Sequence, residues 1–248
     1  MKKLILIQND YPSTGKSTLS QCFSRYLSQY GVQHRLLKLV DDIDACEEEE
    51  SDLLDGSLLT TRSFMEVLNQ NSVTMLEIST GMSEFFMKFY QNHQLSHTLQ
   101  AAGIATSVVL PVTSESDSFD AVIEAAEVYS DEVEYLIAHL ITSSYEDDDK
   151  IWDRSYAARV MDMFEAVELH IPEIGFQIEM ELRAQHKELS EAIMDPESGN
   201  HYGKDFTKWI NRIMGQVDSA RQYLFGEAFK PTTKPKVETK KRAVARAL

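Results

Sequence analysis

The sequence predicts an α/β fold: a doubly wound, mostly parallel sheet flanked by helices, with a helical C-terminal part. Three observations carry this. Short apolar runs alternate with segments of helical period along residues 3–171. Strand, helix and strand fit within residues 3–40, the span of one right-handed βαβ unit. Between that first strand and helix lies Pro-Ser-Thr-Gly-Lys-Ser-Thr, at residues 12–18.

Residues 3–8 (KLILIQ) are apolar with β-branched content, are bounded by Asn9 and Asp10, and predict a buried strand. From Lys16 to Tyr30, Leu19, Phe23, Tyr26 and Leu27 recur on one helical face, and Gly31 fits a C-cap. Residues 35–40 (RLLKLV) predict a second strand. A helix over 58–69, a strand over 73–78 and a helix over 82–102 follow, the last ending near Gly103. Residues 104–110 (IATSVVL) predict a strand stopped by Pro111. Then come a helix over 117–130, a strand over 134–141, a helix over 153–165 and a last strand over 166–171 before Pro172. Beyond it the pattern is helical only, over 176–194 and 204–226. One domain is expected over 1–229. Residues 230–248, rich in Lys, Thr and Pro, are expected to be a disordered tail.

Apolar residues make up 43% of the 248 and charged residues 26%, ordinary for a globular protein able to bury a full core. Two cysteines, Cys22 and Cys46, make no disulfide framework and no CxxC zinc pair, so a reducing cytoplasm is expected. The opening MKKLILIQND has the start of a signal peptide, but its apolar run stops after Leu4 to Ile7. No run reaches the length of a membrane span. Net charge is −16, unevenly spread: residues 230–248 carry +6 and the first 229 carry −22. Such a body repels nucleic acid, and the tail alone attracts a polyanion.

The strongest chemical signal is Asn9 to Thr18. Backbone N–H groups of Ser13, Thr14 and Gly15, with a helix N-terminus behind them, suit a polyphosphate. Lys16 is placed to reach the outer phosphates and to act in catalysis. Ser17 offers its hydroxyl to Mg²⁺, and Thr18 supports the inner phosphates. The usual spacing is G-x-x-x-x-G-K-[ST], and Asp10 stands at its first glycine. The competing reading is a plain strand–turn–helix with a solvated lysine.

Four segments in order resemble the ParA/MinD-type P-loop ATPases, and more narrowly their divergent plasmid-encoded relatives of plasmid stability or conjugal transfer. They are PSTGKST, LKLVDDIDA, VTMLEISTG and VVLPVTSESDS, within residues 1–175. The resemblance implies ATP and Mg²⁺ as cofactors, a slow ATPase, a nucleotide-dependent homodimer and a protein partner through which a plasmid or other cargo is positioned. It makes Asp42 and Asp44 a switch I in which one carboxylate orients a water near the γ-phosphate, with Asp44 favoured. It makes Glu77 the acid that holds a magnesium-bound water, and Gly81 the switch II glycine. Three positions depart from the family. Its signature lysine falls at Tyr11, its Walker B Asp is Glu77, and no adenine-reading Asn follows the strand 134–141.

Other residues have bland readings beside sharp ones. Asp42 and Asp44 lie in a stretch, 41–55, with nine acids, and a solvated acidic loop explains them too. Glu77 ends an apolar strand, where an unpaired carboxylate is costly. His93 and His97 have the i, i+4 spacing of a two-His metal face, but no third ligand is near. Phe85, Phe86, Phe89 and Tyr90, and the last-helix stripe of Trp209, Ile210, Ile213, Met214, Val217 and Leu224, read as core. The basic tail suits DNA phosphates or an anionic surface, or serves only as a solubilising segment.

The leading expectation is therefore an Mg-ATP-binding switch acting through a protein partner. The alternative is a degenerate P-loop regulator with weak or no hydrolysis. A small-molecule kinase is disfavoured by the lack of an arginine-rich lid. Truncation after Phe229 is expected to leave nucleotide binding nearly unchanged and to abolish binding to duplex DNA, because the remaining body carries −22. A salt series of DNA binding by the full and truncated chains checks it: a truncated form with the same salt slope places the DNA site on the folded part.

Overall fold

The fold is that of a computed structural model, which describes residues 1–43, 52–141, 150–195 and 197–232. Seven strands form one sheet: β1 (Lys2–Ile7), β2 (His34–Val40), β3 (Leu53–Asp55), β4 (Val73–Ile78), β5 (Ile104–Val112), β6 (Glu134–Ile141) and β7 (Val167–Pro172). Their order is β3-β2-β4-β1-β5-β6-β7, and every pairing is parallel. The central strands are continuous apolar runs because both faces are covered. In β1, Leu4 and Leu6 point to one core and Ile5 and Ile7 to the other.

The first core is roofed by α2 (Thr61–Leu68), α3 (Ser83–Asn92), α4 (Leu95–Ala101), α5 (Asp117–Tyr129) and α6 (Tyr156–Met163). The second is roofed by α1 (Lys16–Gln29), α7 (Phe176–Ala184), α8 (Leu189–Met194) and α10 (Gly203–Phe225), with the short α9 (Ser198–His201) between the last two. The chain after β1 winds to β2 on one side, whereas the chain after β5 winds to β6 on the other. The C-terminal ends of β1 and β5 therefore flank a switch point, where open parallel sheets form a crevice.

The doubly wound parallel sheet is as expected, and four local differences have physical reasons. The helix expected over 82–102 is two helices, broken at Gln94, which caps α4 with φ +47°. The segment 176–194 is likewise α7 and α8, with His186 at φ +52° between them. β5 continues through Pro111 to Val112. The carbonyl of Val109 accepts from Gln8 N, so Pro111, two residues on, also turns its backbone toward β1, where β1 has already ended. No ladder hydrogen bond is lost. β3 was not expected: three residues after an acidic stretch pair with Lys38–Val40 of β2.

The stripe on α10 is core, with Trp209, Ile210, Ile213, Val217 and Leu224 buried and Met214 packed against them. Phe86, Phe89 and Tyr90 are buried as expected, but Phe85 is exposed. His93 caps the end of α3 and His97 lies in α4, so the two do not share a helix. Cys22 is buried, and burial pushes its thiol up to about 12, which makes it unreactive. No helix among the described residues is long and apolar enough to cross a membrane.

The far end of α1 is closed by an aromatic cluster. Phe225 stacks on Tyr26 and Phe229 and meets the edge of Phe23, and Tyr26 donates to Asp218 at 2.6 Å. Thr232 N donates to the Tyr30 carbonyl at 2.9 Å and its Oγ1 to the Gly31 carbonyl at 2.8 Å, so the chain stays docked three residues past Phe229. Phe225→Ala removes a fully buried ring from this cluster. Urea denaturation is expected to show a loss of about 3–5 kcal/mol.

Candidate functional site

After Ile7 the chain leaves the sheet and turns through residues 8–15 into α1. Two left-handed residues shape that turn, Ser13 at φ +58° and Gly15 at φ +79°. Gly15 tolerates this conformation at no steric cost and caps α1, its carbonyl accepting from Leu19 N at 3.0 Å. No side chain caps the helix, so its first N–H groups face the hollow in front of it. That hollow is a pocket of about 420 Å³ lined by Ser13 to Thr18 and by Lys38, Glu77, Ser79 and Thr80. The expected binding residues Ser13, Thr14, Gly15, Lys16, Ser17 and Thr18 thus share one pocket.

Two side chains anchor the turn from below. Asn9 donates from Nδ2 to the carbonyls of Pro111 and Ser118, at 2.8 and 2.9 Å, and accepts from Tyr11 N at 2.8 Å. Asp10 Oδ1 accepts from Gly81 N at 2.9 Å and from Ser83 Oγ at 2.7 Å. At the position of the motif's first glycine, therefore, a carboxylate ties the turn to the loop that follows β4. Gly81, at φ +87°, makes the bend that presents its N–H.

Lys16 lies along the floor of the pocket, donating to the Asn9 carbonyl and, at 3.1 Å, to Thr80 Oγ1. Burial lowers its pKa, Asp10 and Glu77 oppose that, and Lys38 adds to it. Lys38 stands on β2 opposite Glu77 of β4 and is a second cation at the pocket wall. It was not singled out from the sequence, although a lysine inside the apolar strand RLLKLV was the available signal.

Glu77 is 5% exposed. Its Oε1 accepts from Ser17 Oγ and its Oε2 from Ser20 Oγ, both at 2.6 Å. With its proton given to the carboxylate, Ser17 keeps oxygen lone pairs for a cation. Hydroxyl and carboxylate oxygens are the hard donors Mg²⁺ takes. Two pocket-lining hydroxyls, Thr14 Oγ1 and Ser79 Oγ, are buried without a hydrogen-bond partner. Such orphans are uncommon in a finished core. Uncapped amides, two cations and two unsatisfied hydroxyls fit a polyphosphate with Mg²⁺.

Of the expected acids, Glu77 is in the pocket. Asp42 is exposed beyond β2 and does not line it, and Asp44 lies outside the described residues. Tyr11 stands in the turn, half-buried.

No protein-family model and no curated protein matches the chain. Among solved structures it is similar to the MinD cell division protein of Aquifex aeolicus, with a TM-score of 0.49 and 14% identity over 88% of this chain and 97% of that one.

Because Asp10 holds the loop after β4 by a charge-assisted hydrogen bond, Asp10→Ala is expected to loosen it. A bond of this kind contributes about 1.5–3 kcal/mol, so the Gly81 amide should exchange with solvent about tenfold faster or more. Residue-resolved hydrogen exchange measures it, with the β1 amides as internal reference.

Proposed function

We propose that the chain is a Mg-ATP-binding nucleotide switch with slow ATPase activity, of the ParA/MinD type. The observation that carries this is the convergence of the uncapped start of α1, Lys16 and the Ser17–Glu77 pair on one pocket. In this reading the backbone of Ser13 to Gly15 and the N–H groups of Lys16 to Thr18 cradle the phosphates. Ser17 and Glu77 hold Mg²⁺, Glu77 by way of a water. Bound ATP·Mg²⁺ supplies the transferable phosphoryl group. Lys38 adds from the same subunit a positive charge of the kind the family places at the position of Tyr11.

The same contacts explain how nucleotide would be sensed. A terminal phosphate competes with the Asn9 carbonyl and Thr80 for the Lys16 ammonium. Releasing Thr80 alters the loop 79–83, which Asp10 holds at its other end. We infer the output by the resemblance of PSTGKST, LKLVDDIDA, VTMLEISTG and VVLPVTSESDS: partition, stability or conjugal transfer of a plasmid, in the cytoplasm. It would run through a protein partner and a nucleotide-dependent homodimer, with the basic segment 230–248 available to DNA or an anionic surface. Asp42 and Asp44 are in this reading the switch I acids, one of which orients a water near the γ-phosphate.

A second reading rests on a specific observation. Lys16 is already engaged by Asn9 and Thr80, and both Glu77 oxygens are taken by serines. A lysine and a carboxylate already engaged by internal contacts suit a regulator that binds nucleotide weakly. Calorimetric titration with ATP, GTP and ADP in Mg²⁺ separates the two. The switch reading expects binding that Lys16→Ala weakens by about 2–5 kcal/mol, the cost of removing one member of a buried charge pair. Equal binding by wild type and variant overturns the phosphate-pocket assignment, and no binding by either supports the regulator.

A further inference from the structure

Away from the phosphate pocket, three metal-ligating side chains meet near the C-terminal ends of the last two strands. β6 and β7 pair in parallel with His139 opposite His170. The pleat puts both imidazoles on one face, and Glu168, two residues before His170, on the same face. The two rings stack, with centroids 5.1 Å apart and planes 19° apart. One ligand atom from each of His139, Glu168 and His170 lies within 4.8 Å of the others.

Two further observations point to a ligand. His139 is 7% exposed, yet its Nε2 has no hydrogen-bond partner. Glu168 Oε2 stands 3.3 Å from it without meeting hydrogen-bond geometry. A buried imidazole nitrogen in ion-pair range of a carboxylate, without a hydrogen bond and with a second imidazole stacked beside it, is an arrangement that a cation would satisfy. In addition, the other oxygen of Glu168 accepts from Trp152 Nε1 at 2.8 Å. That bond orients the carboxylate as outer partners orient metal ligands. The Glu168 side chain is 40% exposed, which gives an ion a way in.

We propose that His139, Glu168 and His170 form a binding site for a divalent transition-metal ion of the zinc type. Two imidazoles and one carboxylate leave a fourth, solvent-facing position on a tetrahedral ion. Ligand atoms around such an ion lie about 3.3 Å apart, so modest side-chain rotation closes the site. Imidazole nitrogens select zinc-like ions over Mg²⁺ and Ca²⁺, so this site is chemically distinct from the Ser17–Glu77 pair. The next residue, Leu140, points through the sheet to the phosphate turn, 3.7 Å from where a Cβ on Gly15 would stand.

The test uses the untagged full chain, stripped with chelator and titrated with Co²⁺ and then Zn²⁺. Ligand-field absorption of Co²⁺ reports coordination. Quenching of Trp152, whose ring lies 5.2 Å from that of His139, reports the place. One equivalent of Co²⁺ is expected to bind and to be displaced by Zn²⁺. His170→Gln and Glu168→Gln should each weaken binding tenfold or more, while His93→Gln should not. Both tested ligands are partly exposed, and thermal midpoints without metal should match wild type; a variant that does not fold is replaced by Glu168→Asp, which should weaken binding in the same direction. No cobalt signal up to millimolar concentration overturns the proposal. So does a signal that survives both substitutions, or one removed only by His93→Gln.

Discussion

A carboxylate buried at the end of a central strand has to be paired, and the way Glu77 is paired sets the geometry of the whole pocket. Each of its oxygens takes a hydroxyl from the first turns of α1, one from Ser17 and one from Ser20. The helix is thereby fixed against β4 in both rotation and height. That fixes where its open N–H groups point, where Lys16 lies and how far Ser17 stands from the sheet. Two cations, Lys16 and Lys38, flank the carboxylate, so its charge is not buried in an apolar environment. An apolar residue at 77 would keep the strand and the packing of α1 but leave Ser17 and Ser20 without the acceptor that orients them.

Asp10 shows why a departure from a motif needs its own explanation. A glycine at that position serves backbone freedom. Here the strained residue of the turn is Ser13, and position 10 instead supplies an acceptor for Gly81 and Ser83. The loop after β4 is thus latched to the phosphate turn at two places, by Asp10 and by Lys16 through Thr80. One latch is fixed by charge. The other depends on a lysine whose burial weakens its hold on its own proton. That asymmetry lets one end of the loop yield while the other stays in place.

Much of the sheet was legible because parallel strands covered on both faces are uninterrupted apolar runs; KLILIQ and IATSVVL admit few other readings. β3 was hidden because three residues next to a run of acids carry no period, and only the neighbouring β2 makes Leu53–Asp55 a strand. The break at Gln94 was hidden because the apolar period continues across it and no glycine or proline marks it. In the pocket, the contiguous residues 13–18 were legible as a motif, and Glu77 as a costly acid on an apolar strand. Lys38 was not, since its relevance comes from standing opposite Glu77. The same holds for His139 and His170: some thirty residues separate them, and only the register of β6 and β7 makes them neighbours.

Fourteen residues of α1 make a rigid rod about 21 Å long. One end faces the phosphate pocket. The other is clamped by Phe225 and Phe229 and by the hydrogen bonds of Thr232 to Tyr30 and Gly31. The point from which the basic segment departs is therefore bolted to the same rod that carries the phosphate turn, but at the opposite ends of the strands. The two most strongly contrasting charge features of the chain, a −22 body and a +6 extension, are thus joined by a mechanical strut. A tilt of the rod at one end is a displacement of the extension's root at the other.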